Sequence, residues 1–305
     1  MGSGRVWEGF GRLADPKISI TSLACMVVGA SVAAAEGPLD WTWLGVLGVA
    51  LFCMEVAKNA WGDVFDYDSG TDLAVAPEDR TAFSGGKRVL VDALLTRGQT
   101  WAMAIGFGAL GVALGAAIVF LREPSVFWIG AVGLVLGWSY HGPPLRLAYR
   151  GLGELDVAIC YGPVLAVATC LIQTGSWSGM AFWLSLPLGI LIASFLWVNE
   201  FPDYLADRSA GKNNLVARLG RRTASRVLPW IYGAGFALLV GLVGVGYPPS
   251  VLLGLAALPP AVYASAKVWS RPEDFHREHP VQPAALLCFV LYSLGVGAGV
   301  LLDRG

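Results

Sequence analysis

The sequence predicts an all-α polytopic membrane protein of nine transmembrane helices, forming one domain over residues 1–305. Three observations carry that prediction. The chain is 55% hydrophobic and only 14% charged, with a mean hydropathy of +0.61, whereas about a quarter of an average soluble domain is charged. Its apolar residues fall in runs at about 18–35, 41–61, 99–121, 126–140, 155–174, 179–199, 227–246, 250–269 and 283–302, most of them near the ~20 residues that cross ~30 Å of hydrocarbon. Its basic residues are one-sided: of the 21 Lys and Arg, all but Arg122 and Arg304 fall on the side of the N-terminus. The positive-inside rule then places the N-terminus and the long loops in the cytoplasm and the C-terminus outside, in a bacterial or organellar inner membrane. The net charge of −1 by itself argues neither for nor against an anionic ligand. The bilayer is the partner the composition implies, and no nucleic-acid partner is expected.

The N-terminal segment 1–17 carries Trp7, Phe10, Arg12 and Lys17 in an amphipathic pattern suited to the membrane surface, and Pro16 turns the chain inward. The run 18–35 has no ionisable group. The second run differs, because it holds Glu55 and Lys58 inside the apolar stretch and then gives way to Asn59, Asp63, Asp66, Asp68 and Asp72. An intramembrane acid is costly and marks a functional candidate. Neutralisation of Glu55 by Lys58 is the structural alternative. The following loop, 69–98, contains SGGKR, two glycines and then Lys87 and Arg88, a pattern that frees backbone N–H groups and adds cations for a phosphate. VLVDALL after it has helical spacing and predicts a short amphipathic lid.

The third and fourth runs are joined through Arg122 and Glu123, and the fourth ends in WSYHGPPLRLAYRGLGELD. Pro143 and Pro144 stop that helix, His141 reads as an interfacial residue, and Glu154 and Asp156 read as acids favoured at a helix N-terminus. The sixth run ends in a second acid cluster, Asp203 and Asp207, four apart and on one helix face. It is followed by S-A-G-K at 209–212, an echo of S-G-G-K at 84–87. Each half of the chain thus pairs aspartates with a glycine–lysine segment. The last three runs carry no acid, His276 and His279 read as solvated, and the five cysteines, without CxxC spacing, read as packing residues.

Two groups of aspartates flanked by Lys and Arg suit a magnesium-bound diphosphate, since Mg²⁺ takes few carboxylates, keeps waters and bridges phosphate oxygens. The lipid setting points to a prenyl tail, whose allylic cation aromatic faces can shelter. Tyr67, Tyr140, Tyr161 and Trp197 are the candidates for that pocket.

The stretches DYDSGTD, FSGGKRVLVDALL, HGPPLRLAYRGLGE and NEFPDYLADRSAGKNNLVARLG together resemble the UbiA-type intramembrane prenyltransferases, especially the branch with the dihydroxynaphthoate prenyltransferases of menaquinone synthesis. The likeness covers about residues 10–300. It implies helices around a central cavity capped by cytoplasmic loops (69–98 and 203–225 here), and transfer from a prenyl diphosphate to an aromatic or quinone-precursor acceptor with two or more Mg²⁺ ions. It implies metal ligands at Asp66 and Asp72, with Asp63 beside them, and at Asp203 and Asp207. Lys87, with Arg88 after it, Arg146 and Lys212 fall at basic positions near the diphosphate. One position departs: the family's Asn four residues before the first Asp falls on Gly62, and Asn59 fits only an alternative frame with Asp63. A terpene cyclase of the same family and an ion-coupled transporter are the competing readings. Acids crowded at one surface rather than the midplane count against the transporter.

Overall fold

Several of the long helices begin with a side chain that accepts from first-turn N–H groups, which have no partner inside the helix. The computed structural model describes residues 3–303, among which there are helices and no strand; Arg304 lies outside them. The amphipathic α1 (Ser3–Leu13) meets α2 (Pro16–Glu36) at Asp15, whose carboxylate accepts from the Lys17 N–H at 3.1 Å, with Pro16 at the first helical position. Asp40 caps α3 (Trp41–Asp68) by accepting from the Thr42 and Trp43 N–H groups. Thr96 and Gln99 form a reciprocal capping box on α4 (Arg97–Leu121). Beyond α5 (Val126–Ser139) come α6 (Gly153–Thr174), α7 (Gly179–Ser209, capped by Ser178), α8 (Arg221–Gly244), α9 (Pro249–Ser270) and α10 (Val281–Leu302).

Among the described residues eight helices are long and apolar enough to cross a membrane, and the remaining expected span is α5, an apolar helix of 14 residues. That length rises only about 21 Å, yet it connects the two ends of the bundle. Just before α5, Arg122 donates to the carbonyls of Ile172 (2.8 Å) and Gln173 (2.9 Å) at the C-terminal end of α6. Just after it, Tyr140 and His141 stand in the cavity at the other end. The two helices that carry the acid motifs are the long ones: α3 has 28 residues and α7 has 31, about 42 and 46 Å at 1.5 Å per residue. Both outrun the hydrocarbon, so Asp66 and Asp203 stand beyond it.

Close helix crossings rest on small residues, as they do where lipid gives no hydrophobic drive between helices. A Cβ on Gly189 of α7 would lie 2.2 Å from the Ala158 carbonyl of α6, and one on Gly299 of α10 would lie 2.3 Å from the Ser250 carbonyl of α9. α6 contains a π-helical turn at Cys160–Val164, around Gly162 and Pro163, where it meets α7. The main core is aromatic and aliphatic, with Tyr292, Phe289, Phe201 and Phe275 fully buried. The outside is apolar too: Phe120 is 83% exposed, as expected of a lipid-facing flank. Exposed Trp41, Trp128 and Trp177 mark one end of the bundle and Trp7, Trp230 and Trp269 the other, the positions of interfacial aromatic belts. The cysteines are free, four buried and Cys160 partly so.

Two local expectations fail. VLVDALL forms turns rather than a helix, because the Asp63 carboxylate accepts from the Val89 (3.2 Å) and Leu90 (3.1 Å) N–H groups and Ala93 takes a left-handed φ of 50°. His276 is not solvated: its side chain is buried, with Nε2 3.0 Å from Asp79 Oδ1. Arg277 binds the same carboxylate at 2.6 Å, and together they clasp the 69–96 segment to the α9–α10 connection.

Candidate active site

The C-terminal ends of α3 and α7 converge on a cavity of about 820 Å³ whose wall includes Asp63, Asp66, Asp72, Asp203, Asp207 and Lys212. The glycine pair of SGGKR is what joins the two acid motifs. The Gly85 N–H donates to Asp203 Oδ2 at 3.2 Å, and Gly86, at φ +75°, lies so close to Asp72 that a Cβ there would sit 2.3 Å from its carboxylate. This loop therefore presents its backbone donor to a carboxylate, not to an open anion site.

Within the first motif, Asp66 accepts from the Tyr149 hydroxyl at 2.5 Å and from Lys212 at 3.2 Å, with His141 Nε2 at 3.6 Å. Asp63 spends both oxygens on the loop amides named above. Asp72 is different: its Oδ2 is buried with no hydrogen-bond partner. Burial, then the nearby charges of Asp66 and Asp63, push its carboxyl well above the usual range. In the second motif Asp207 Oδ2 accepts from Asn214 at 2.7 Å, while Asp207 Oδ1 and Asp203 Oδ1 are buried without a hydrogen-bond partner, the former 3.9 Å from the Lys212 ammonium. Burial works against the Lys212 ammonium, yet Asp66 and Asp207 hold it well above the usual lysine range.

The expected basic residues divide. Lys212 stands among the acids. Lys87 also lines the cavity but is ion-paired with Asp15, and its pKa is lowered by burial against that pairing. Arg88 donates to the Asp72 carbonyl at 3.0 Å and to Asp92 at 3.0 Å. Arg146 lies off the cavity wall, stacked 4.0 Å over the Tyr149 ring. The aromatic candidates divide as well. Tyr140 and Tyr161 line the cavity. Tyr67 does not: it follows Asp66 by one residue, about 100° around the helix, and is exposed on the outside of α3. Trp197 is buried in the core, with Nε1 donating to the Ala224 carbonyl at 3.2 Å. Asn59 is at the wall and donates to the Leu13 carbonyl at 2.7 Å, tethering α1.

Several site residues were not legible as such. Glu154, read as a helix-start acid, accepts from the Leu215 N–H at 2.7 Å and so holds the second cap loop. Glu200, buried on the cavity wall, has an unpartnered Oε2. His141 fills the space over Gly62, where a Cβ would lie 2.9 Å from its ring. Gly62, the one glycine among the acids at the end of α3, was the available signal for that close approach.

A second cavity, about 410 Å³ and almost wholly apolar in its lining, lies among α3, α4, α5 and α6. Its outer wall includes Phe120 and Phe127, which are exposed on the flank of the bundle. The two cavities share Lys58, Val157 and Tyr161 as a common wall.

An all-helical integral membrane protein, with a charged cavity at one end and an apolar one beside it that reaches the flank, is thus the class defined by fold and site. The profile of the UbiA prenyltransferase family matches residues 22–294. The chain belongs to that family and is a prenyltransferase. Similar proteins include a 2-carboxy-1,4-naphthoquinone phytyltransferase of Synechocystis, 30% identical over 81% of this chain and 78% of the relative. A 1,4-dihydroxy-2-naphthoate octaprenyltransferase of Bacillus subtilis is 25% identical over 77% of this chain and 73% of that one. The UbiA prenyltransferase domain-containing protein 1 of Dictyostelium discoideum is 28% identical over 70% of this chain, which spans 64% of that relative. Among solved structures, a UbiA homolog from Aeropyrum pernix superposes with a TM-score of 0.69 at 20% identity, covering 93% of this chain and 97% of that one. One from Archaeoglobus fulgidus bound to GPP and Mg²⁺ gives 0.64 at 16% identity, covering 96% and 99%. Both report the shared fold.

Proposed function

We propose that this chain transfers the prenyl group of a magnesium-bound prenyl diphosphate to a hydroxyaromatic acceptor, a quinone precursor of the naphthoate type, within the membrane. The observation that carries this reading is a set of three buried carboxylate oxygens without donors, Asp72 Oδ2, Asp203 Oδ1 and Asp207 Oδ1, drawn from both motifs onto one cavity. An unpaired buried carboxylate is costly, and a divalent cation is the partner that removes the cost.

In this reading Asp66, Asp72, Asp203 and Asp207 would hold the ions, which neutralise the charge that builds on a leaving diphosphate. Lys212 binds a phosphate oxygen, and Tyr149, hydrogen-bonded to Asp66, fixes that carboxylate in place. Tyr161, which lines both cavities, stands nearest the allylic cation at the entrance to the apolar cavity, which takes the tail, while Tyr140 lines the charged cavity with Lys58 Nζ 4.6 Å from its ring centre. The crowding of Lys and Arg at the cavity end supports a cytoplasmic position for it. Support for the acceptor class comes from the two naphthoate prenyltransferases named above. The test is incubation of purified protein with geranylgeranyl diphosphate and Mg²⁺, with and without 1,4-dihydroxy-2-naphthoate. A prenylated naphthoate that requires both additions is expected. A cyclic terpene formed from the diphosphate alone would replace the transferase reading with a cyclase.

A further inference from the structure

Three ionisable side chains stand where the charged and apolar cavities meet, at a depth where charge is expensive and calls for a partner. They are Glu55 and Lys58 on α3 and Asp156 on α6. Glu55 is satisfied: Ser19 donates to its Oε2 at 2.7 Å and Ser22 to its Oε1. The other two are not used in this way. Asp156 is 5% exposed, faces the cavity, and its Oδ1 has no hydrogen-bond partner among the described residues. Lys58 lies with Nζ 4.6 Å from the centre of the Tyr140 ring, and it lines both cavities. A structural ion pair would bring ammonium and carboxylate into contact with their remaining polar atoms bonded. Here the ammonium takes an aromatic face and the carboxylate is left with an open oxygen.

The place matters as much as the groups. A prenyl diphosphate with its head at Lys212 and its tail in the apolar cavity passes Lys58, Val157 and Tyr161, so its C1 carbon lies near this neck. An acceptor must meet C1 there. Lys58 offers a single charge over a ring, suited to an anionic oxygen on a flat molecule, and Asp156 offers a carboxylate oxygen that nothing else occupies.

We propose that Lys58 and Asp156 form the acceptor subsite: Lys58 binds an ionised oxygen of an acidic hydroxyaromatic molecule, and Asp156 accepts the proton displaced from its ring. This rests on the prenyl-transfer reading. The C1–O bond of the prenyl diphosphate breaks and its electron pair leaves with the diphosphate. A hydrogen-bearing ring carbon of the acceptor supplies the pair for the new C–C bond. Its C–H pair then restores the aromatic ring as the proton passes to Asp156, so no oxidant or reductant is needed. Asp156 is a catalytic residue in this scheme and Lys58 a binding residue.

The test uses the full chain in nanodiscs and separates binding from turnover. Equilibrium dialysis measures 1,4-dihydroxy-2-naphthoate and, separately, geranylgeranyl thiolodiphosphate with Mg²⁺. Lys58→Met is expected to weaken the naphthoate roughly tenfold or more, as loss of a charge-assisted contact does, with the thiolodiphosphate unchanged, and Lys58→Arg is expected to restore most of the loss. Asp156→Asn is expected to bind both ligands as wild type and to lower kcat for transfer roughly 100-fold with KM unchanged, the size of a lost general base. Naphthoate binding that is absent in wild type or unaltered by Lys58→Met overturns the subsite. So does a Lys58→Met loss confined to the thiolodiphosphate, or an Asp156→Asn variant that transfers at the wild-type rate. Failure of wild type to bind the thiolodiphosphate with Mg²⁺ instead strikes the prenyl-transfer reading, and naphthoate dialysis still judges the subsite.

Discussion

The ends of α3 and α7 look like two copies of one device in the sequence, aspartates followed by a glycine–lysine segment, and the structure uses them differently. At α3 the protein itself consumes much of the charge: Asp63 holds the amides of Val89 and Leu90, and Asp66 is shared by Tyr149 and Lys212. At α7, Asp203 and Asp207 each keep one buried oxygen without a hydrogen-bond partner. The lysines are reversed. Lys87 of the first segment is engaged by Asp15, while Lys212 of the second stands over the acids. Equal spacing along the chain therefore says little about how far the fold already engages each carboxylate; the oxygens left without a hydrogen-bond partner, Asp72 Oδ2 of the first motif included, mark where it does not.

Substitutions can break or sharpen the contrast. The largest effect is expected of Asp203→Asn, which removes charge from an oxygen the fold does not use: turnover falls on the order of 10³-fold with little change in the melting temperature of the detergent-solubilised protein. Unchanged turnover would count against a ligand role for the α7 end. Next is the lysine pair. Lys212→Ala should raise KM for the diphosphate about 10-fold or more, and Lys87→Ala should raise it less, because Asp15 already engages that ammonium. Equal or reversed effects in steady-state kinetics would erase the distinction. Gly86→Ala should lower activity and stability together, since the new methyl strikes the Asp72 carboxylate at a left-handed φ. The smallest effect on chemistry is expected of Asp63→Ala. It leaves two loop amides without an acceptor and should cost about 1–3 kcal/mol of stability, read as a lower melting temperature, with activity falling only as the loop loosens.

Much of the fold was legible because hydropathy in a membrane chain is nearly decisive. The nine apolar runs correspond to the eight long helices and the shorter α5, before which Arg122 ties that end of the bundle to α6. The acid motifs were legible too, as charges at the ends of apolar helices. What escaped was everything decided by contacts distant in sequence. VLVDALL has helical spacing but loses its amides to Asp63. Tyr67 neighbours Asp66 in sequence yet faces outward, and Trp197 lies in the core. Glu154 and Asp156 read as helix-start acids and Lys58 as a neutraliser of Glu55, because the cavities that Lys58 and Asp156 line are assembled from helices distant in sequence. His276 read as a surface residue because Asp79, its partner, lies 197 positions away.

The central claim is that carboxylates from both motifs grip one diphosphate through shared magnesium. Dialysis of geranylgeranyl thiolodiphosphate against wild type, Asp72→Asn and Asp203→Asn, each with Mg²⁺ and with EDTA, tests it most directly. The account predicts magnesium-dependent binding in wild type that is lost with EDTA and weakened by either substitution alone. Binding that is indifferent to magnesium, or that survives both substitutions, would contradict it.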